Sequence, residues 1–207
     1  MKKILFIMTL LWGGFTASSI KAQIDVNKVF PNAVMSKEIY DKAKAELDKP
    51  ESPFKTLFET AIKAESDKNL NQATWWKANY NDATQADKDY IVREMNRIYY
   101  HCVTYLMTGE QKYLDKAAAN LKEWTKGNVA NHRSNINEHY YTPAVEGYSI
   151  IRNVISEADR KTIDNWVNKR LQVFKSDNDL RINNWGTCLL FQFYLYGTVL
   201  GDEDALN

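Results

Sequence analysis

The chain has 207 residues, with 27 Lys and Arg against 26 Asp and Glu. A charge of +1 with neutral histidines gives no electrostatic case for nucleic acid or an anionic membrane as a partner. Eight glycines and four prolines favour helices over an all-β fold, and two cysteines are too few for a disulfide framework.

Residues 1–22 read as a secretory signal peptide. Lys2 and Lys3 form a basic start, Ile4 to Phe15 a short apolar stretch, and Ala17-Ser18-Ser19 leads to a cut after Ala22. The stretch is shorter than the roughly 20 residues of a membrane span, and an uncleaved anchor is the alternative. No cysteine lies near the cut, which disfavours a lipid anchor. The expected location is the periplasm or the medium, with no membrane contact after cleavage. Cleavage takes three of the 27 basic residues (Lys2, Lys3 and Lys21) and no acid, so the mature charge is about −2. The remaining 185 residues, Gln23 to Asn207, can build one core.

From residue 36 onward the chain reads as helices separated by turn signals. Ser36–Asp48 and Pro53–Glu65 form a first pair, followed by an irregular stretch over 66–83. Asp82 and Gln85 read as a capping box for the next helix, whose inner stripe is Ile91, Met95, Ile98, Cys102, Tyr105 and Leu106. Gly109 stops it. Tyr113, Leu114, Ala117, Leu121 and Trp124 mark the following helix, closed by Gly127. A polar loop is expected from Asn128 to about Tyr141. Val145, Tyr148, Ile151 and Ile155 stripe a further helix. Ser156 and Asp159 cap another, with Ile163, Trp166, Val167, Leu171 and Phe174 as its apolar face.

Tight junctions at Gly109, Ser156 and Gly201 are 47 and 45 residues apart, and acids follow each one, as suits the first turn of a helix. The unit is two antiparallel helices and a longer loop, and such hairpins bury their faces only against neighbours. The roughly 34-residue tetratricopeptide period does not fit, which favours a closed α/α toroid. The helix from Trp185 to Leu200 is apolar around most of its circumference, as expected of an inner helix buried on both faces. A membrane-spanning reading fails on Asn183, Asn184, Thr187, Gln192 and Gly197. Cys102 and Cys188 fall in apolar patterns and read as buried free thiols, with a disulfide as the alternative. No cysteine–histidine spacing suggests a metal site.

Asn183 and Asn184 stand at the mouth of that apolar helix. Capping explains one asparagine, because its side chain accepts from first-turn amides. A second buried amide needs other partners. Asn183-Asn184-Trp185-Gly186-Thr187, followed by a mostly apolar helix with Gln192, resembles the Asn-Asn-His-Gly-Thr segment of alginate-lyase-type α/α-toroid proteins. The run Tyr105-Leu106-Met107-Thr108-Gly109-Glu110-Gln111-Lys112-Tyr113-Leu114, continuing to Leu121-Lys122-Glu123-Trp124, resembles that family's hairpin between inner and outer helices. The asparagine pair is the more specific of the two signals, and the resemblance covers roughly residues 75–207.

The resemblance implies an all-α fold and cleavage of a uronate polysaccharide by β-elimination. A base removes the C5 proton, an acid protonates the leaving O4, and hydrogen-bond donors on the C6 carboxylate stabilise the enolate-like transition state. By position, Asn184 is the neutraliser. The family's adjacent histidine is replaced here by Trp185, whose indole donates one hydrogen bond but is neither base nor cation. Trp185 either stacks on a sugar ring or packs.

The loop from Asn131 to Tyr141 supplies further candidates. Arg133 suits a carboxylate, His139 a general base, and Tyr140 or Tyr141 a proton relay. An ordinary solvated loop is the alternative. His101 lies mid-helix and reads as a hydrogen-bonded core histidine. Trp75, Trp76 and Tyr80 form either a sugar platform or a wedge between helices. The candidate catalytic set is Asn184, His139 and Tyr141. Trp185, Arg133, His132, Tyr140 and Trp76 are candidate substrate-binding residues, with no metal and no cofactor.

The family's acid/base tyrosine and its accompanying arginine lie in a second half that has no matching segment here. Residues 23–207 are therefore expected to form an incomplete arc of antiparallel hairpins, the N-terminal part of a toroid. Its open face is expected to be apolar and available for self-association. Besides a lyase with an acidic polysaccharide substrate, the sequence admits a non-catalytic glycan-binding protein or inactive truncated toroid, and a helical scaffold for protein partners.

Overall fold

Every regular element in the computed structural model is helical among the residues described, 24–76, 83–127, 136–176 and 184–206, with Ile136, Asn137 and Trp185 described by backbone alone. The first are α1 (Val26–Val29), α2 (Lys37–Leu47) and α3 (Pro53–Leu57), then a π-helical turn (Phe58–Lys63) running into α4 (Ala64–Asn69). After these come α5 (Gln85–Thr108), α6 (Gln111–Trp124) and a 3-10 turn (Ile136–Tyr141) that leads directly into α7 (Thr142–Ile151). The last are α8 (Glu157–Ser176), α9 (Asn184–Leu200) and α10 (Glu203–Leu206). Residues 1–22, expected from the sequence to be a signal peptide, lie outside the described residues, as do Tyr80 and Asn183.

Short polar side chains fix the helix starts. Ser36 Oγ accepts from the Ile39 amide at 3.3 Å to open α2, and Ser156 Oγ accepts from the Asp159 amide at 3.1 Å to open α8. At α5 the capping box is Thr84 with Asp87, not Asp82 with Gln85. Thr84 Oγ1 accepts from the Asp87 amide at 3.2 Å, and the Asp87 carboxylate accepts from the Thr84 amide at 2.9 Å. Gln85 is itself the first helical residue, so it cannot serve as the third. Gly109 and Gly201 end α5 and α9 in the left-handed region, with φ of 74° and 69°. There a side chain would crowd the following carbonyl, so glycine is the residue that turns the chain into the next helix.

The hairpins stack in two layers. α5, α7 and α9 lie side by side, α6 packs against α5 and α8, and α8 packs against α9. Arg152 at the end of α7 holds the Asp164 carboxylate of α8 through Nε at 2.8 Å and Nη2 at 2.9 Å. The Tyr148 hydroxyl donates to the same carboxylate at 2.7 Å. The α5 stripe of Ile91, Met95, Ile98, Cys102 and Leu106 is buried as its spacing predicts, and it meets Tyr113, Leu114, Ala117 and Leu121 of α6 in one core. Fully burying a side chain of this size stabilises by about 1.5–3 kcal/mol each.

Several expectations from the sequence change. The polar loop does not run to Tyr141, because Ile136–Tyr141 is a 3-10 turn whose Glu138 and Tyr141 face inward. α9 is not buried on both faces. Leu195, Tyr196 and Val199 are buried, but Leu190, Phe191 and Tyr194 are 52%, 53% and 50% exposed. The described helices cover one side of α9 only. Cys102 is a buried free thiol, pushed up in pKa by its burial, whereas Cys188 is free but exposed on the outward side of α9. His101 is buried, yet neither ring nitrogen has a hydrogen-bond partner. Its ring lies 6.3 Å from that of Tyr113, so packing holds it in place.

Candidate functional site

The turn Ile136–Tyr141 packs against both α5 and α9, the helix with Asn184 at its head. Two polar anchors bracket the middle of the turn. On one side, Glu138 Oε1 accepts from Arg170 Nη1 of α8 and from the Tyr196 hydroxyl of α9, the latter at 3.1 Å. On the other, Gln192 Nε2 of α9 donates to Thr142 Oγ1 at 3.3 Å. His139 and Tyr140 lie between the anchors. Both are half-buried, and their rings are 4.2 Å apart.

Beneath them lies an aromatic and cationic packing unit. Tyr141 is buried, with the Arg170 guanidinium 3.7 Å from its ring centroid and 4.3 Å from that of Trp166. Its ring meets Trp124 and Trp166 edge-on, each at 5.8 Å. Trp124 in turn lies 5.9 Å from Trp75, which stacks on Tyr90 at 5.1 Å. Trp75 therefore wedges between α5 and α6, and its neighbour Trp76 is half-buried against the core.

The electrostatics follow from burial. Tyr141 and Tyr196 hold their protons more tightly than an ordinary phenol, in both cases chiefly because a buried phenolate loses its hydration. Burial also opposes the charge on Arg170, but Glu138 overrides it and keeps the guanidinium firmly cationic. Among the described residues no group of three or more His, Cys, Asp or Glu could hold a metal ion.

Asn184 is the first residue of α9, and it is exposed rather than buried. An exposed amide at the positive end of a 17-residue helix is free of the packing demands that a buried one would face. Gln192 and Tyr196 are eight and twelve residues farther along, about 12 and 18 Å by helical rise. Trp185 belongs to the same first turn of α9. His132 and Arg133 lie outside the described residues.

Arg170 and Tyr196 were missed as partners of the turn. The Arg170 signal was present in α8, where the stripe Ile163, Trp166, Val167, Leu171 and Phe174 has its gap filled by Arg170 at helical spacing. A cation in the middle of a core-facing stripe requires a buried anion, and Glu138 of the turn is that anion.

No curated protein sequence matches the chain at a significant level. The family model described as alginate lyase matches residues 33–207, a span that contains α2 to α10, the anchored turn and the head of α9. With most of its length matched, the chain belongs to the alginate lyase family.

Proposed function

We propose that the chain acts on a uronate-containing polysaccharide by β-elimination, in keeping with the polysaccharide lyase activity that its family implies. In this reaction a base takes the C5 proton, the freed electron pair forms the C4–C5 double bond, the C4–O4 bond breaks, and an acid returns a proton to O4. The C5 proton is poorly acidic while the neighbouring carboxylate carries full charge. A neutral donor on that carboxylate lowers the barrier by stabilising the charge as it spreads onto the enolate.

Asn184 is assigned that donor role, and the observation that carries the assignment is its exposed amide at the head of α9 in a matched family segment. His139 is assigned the base and Tyr140 the acid, supported by their half-exposed rings on an anchored turn beside α9. The sequence puts Tyr141 in the catalytic set and Tyr140 in substrate binding; because Tyr141 is buried under Arg170, we assign it instead to supporting the turn from below and give the acid role to Tyr140. Trp76, Trp185, His132 and Arg133 are assigned to substrate binding. The two-layered hairpins support an arc of an α/α toroid, and residues 1–22 support export to the periplasm or the medium.

The test uses alginate, glucuronan and glycosaminoglycans, and follows the ultraviolet absorbance of the unsaturated product. The lyase reading expects a time-dependent rise on at least one polymer, and a flat trace on all of them overturns it. Trp185 in place of the family's histidine favours a second reading, a glycan-binding protein without catalysis. Saturable polymer binding with a flat absorbance trace would select that second reading.

A further inference from the structure

The Glu138–Arg170 pair is expensive to hold in its place. Both residues are buried, at 2% and 1% exposure. A buried ion pair recovers its desolvation only when its geometry is excellent and its remaining lone pairs and protons are satisfied. Here Glu138 Oε2 and Arg170 Nε have no hydrogen-bond partner, so the contact is a single point and not a two-pronged fork. Apolar side chains of similar volume would fill the same space at no loss of stability.

What the pair provides is direction. Its partners come from three separate elements: Glu138 from the turn, Arg170 from α8, and Tyr196 from α9. A packed apolar contact tolerates sliding, whereas a charged hydrogen bond fixes both distance and angle. The second anchor, Thr142 to Gln192, fixes the other end of the same stretch onto α9. Of the three residues held between them, His139 and Tyr140 are those assigned the base and the acid, and Tyr141 packs under Arg170.

We propose that Glu138 and Arg170 are positioning residues, which fix the turn in register on α9 so that His139 and Tyr140 are held where the reaction needs them. The proposal rests on the lyase reading for its catalytic consequence, but not for its structural one. A displacement of about 1 Å at a reacting group costs on the order of 100-fold in rate.

The test compares the full chain with the double variant Glu138→Leu/Arg170→Met and the single variant Tyr196→Phe. The double variant replaces the pair with apolar volume. Its expected melting temperature is close to that of the wild type, because the gain from removing the buried pair is offset by the Tyr196 hydroxyl left without its acceptor, with kcat down about 100-fold and KM little changed. A double variant with wild-type melting temperature and wild-type kcat would overturn the proposal, because the pair would then serve packing alone. Hydrogen–deuterium exchange across residues 136–142 provides a readout independent of activity. Faster exchange confined to this stretch in both variants is expected, and unchanged exchange in both overturns the proposal even if no polymer is cleaved. If the double variant does not fold, Tyr196→Phe decides through the same exchange measurement. Exchange faster at the turn, with no product from the wild type, would uphold the positioning role and refute the lyase reading.

Discussion

Two regions of the core bury polar side chains, and they treat them in opposite ways. Around α4, α5 and α6, His101 is sealed in with no hydrogen-bond partner, and burial lowers its pKa from 6.5 to about 4. It enters the fold as a neutral ring. Between the 3-10 turn, α8 and α9, Arg170 cannot discharge in this way, because a guanidinium keeps its proton, and it is instead matched by Glu138 and by two aromatic faces. The difference teaches what each burial is suited for. A discharged group makes few directional demands and links stability to pH, whereas a paired charge imposes geometry on whatever bears its partner.

The largest expected effect separates the two at once. Arg170→Met alone strands the Glu138 carboxylate in the core and is expected to cost about 3–5 kcal/mol in chemical denaturation. A loss below about 1 kcal/mol would mean that the pair is not buried as described. His101→Leu strands nothing, so at neutral pH it should leave stability almost unchanged.

The pH dependence reverses that order. The unfolded chain protonates His101 near 6.5, while the folded chain resists until about 4. Between these values the unfolded state binds more protons, so wild-type stability falls as pH drops through the window, by about 3 kcal/mol at the lower end. Glu94, whose carboxyl is pushed up chiefly by burial, works in the opposite sense in the neighbouring range. The quantity to measure is therefore the difference between wild type and His101→Leu from pH 7 to pH 4. That difference should shift in favour of the variant on acidification, and a constant difference would show that His101 titrates normally.

A smaller effect calibrates the comparison with an uncharged case. Ser66 Oγ and Thr104 Oγ1 share a buried hydrogen bond of 2.9 Å near His101. Ser66→Ala is expected to cost about 1 kcal/mol at every pH in the range, as a neutral bond should. A pH-dependent cost would tie the pair to His101.

Much of this fold can be read from the chain in order. The α5 and α6 stripes, the stop at Gly109 and the cap at Ser156 depend on neighbours a few residues away, and local spacing reports them well. The Thr84 cap lies two residues from the expected Asp82 because two overlapping stretches both offer a capping oxygen and a polar side chain three residues on. The inward face of the 136–141 turn was hidden for a different reason. Glu138, His139 and Tyr140 look solvated by composition, and what buries Glu138 is Arg170, 32 residues away. The exposed side of α9 was likewise invisible, since an apolar residue looks the same in sequence whether or not a neighbouring helix covers it. Within the candidate site, the asparagine at the head of α9 came from the motif, whereas the anchors of the turn came only from the packing.

Replacing the exposed Asn184 amide tests the assigned chemistry most directly, because the side chain lies on the surface and Asn184→Ala should not disturb the core. The measurement is the initial rate of unsaturated-product absorbance on the polymer that the wild type cleaves, compared at matched melting temperature. A fall in kcat of about 100-fold or more is the predicted result. A variant that cleaves the polymer at the wild-type rate would contradict the role of Asn184 as the carboxylate's hydrogen-bond donor.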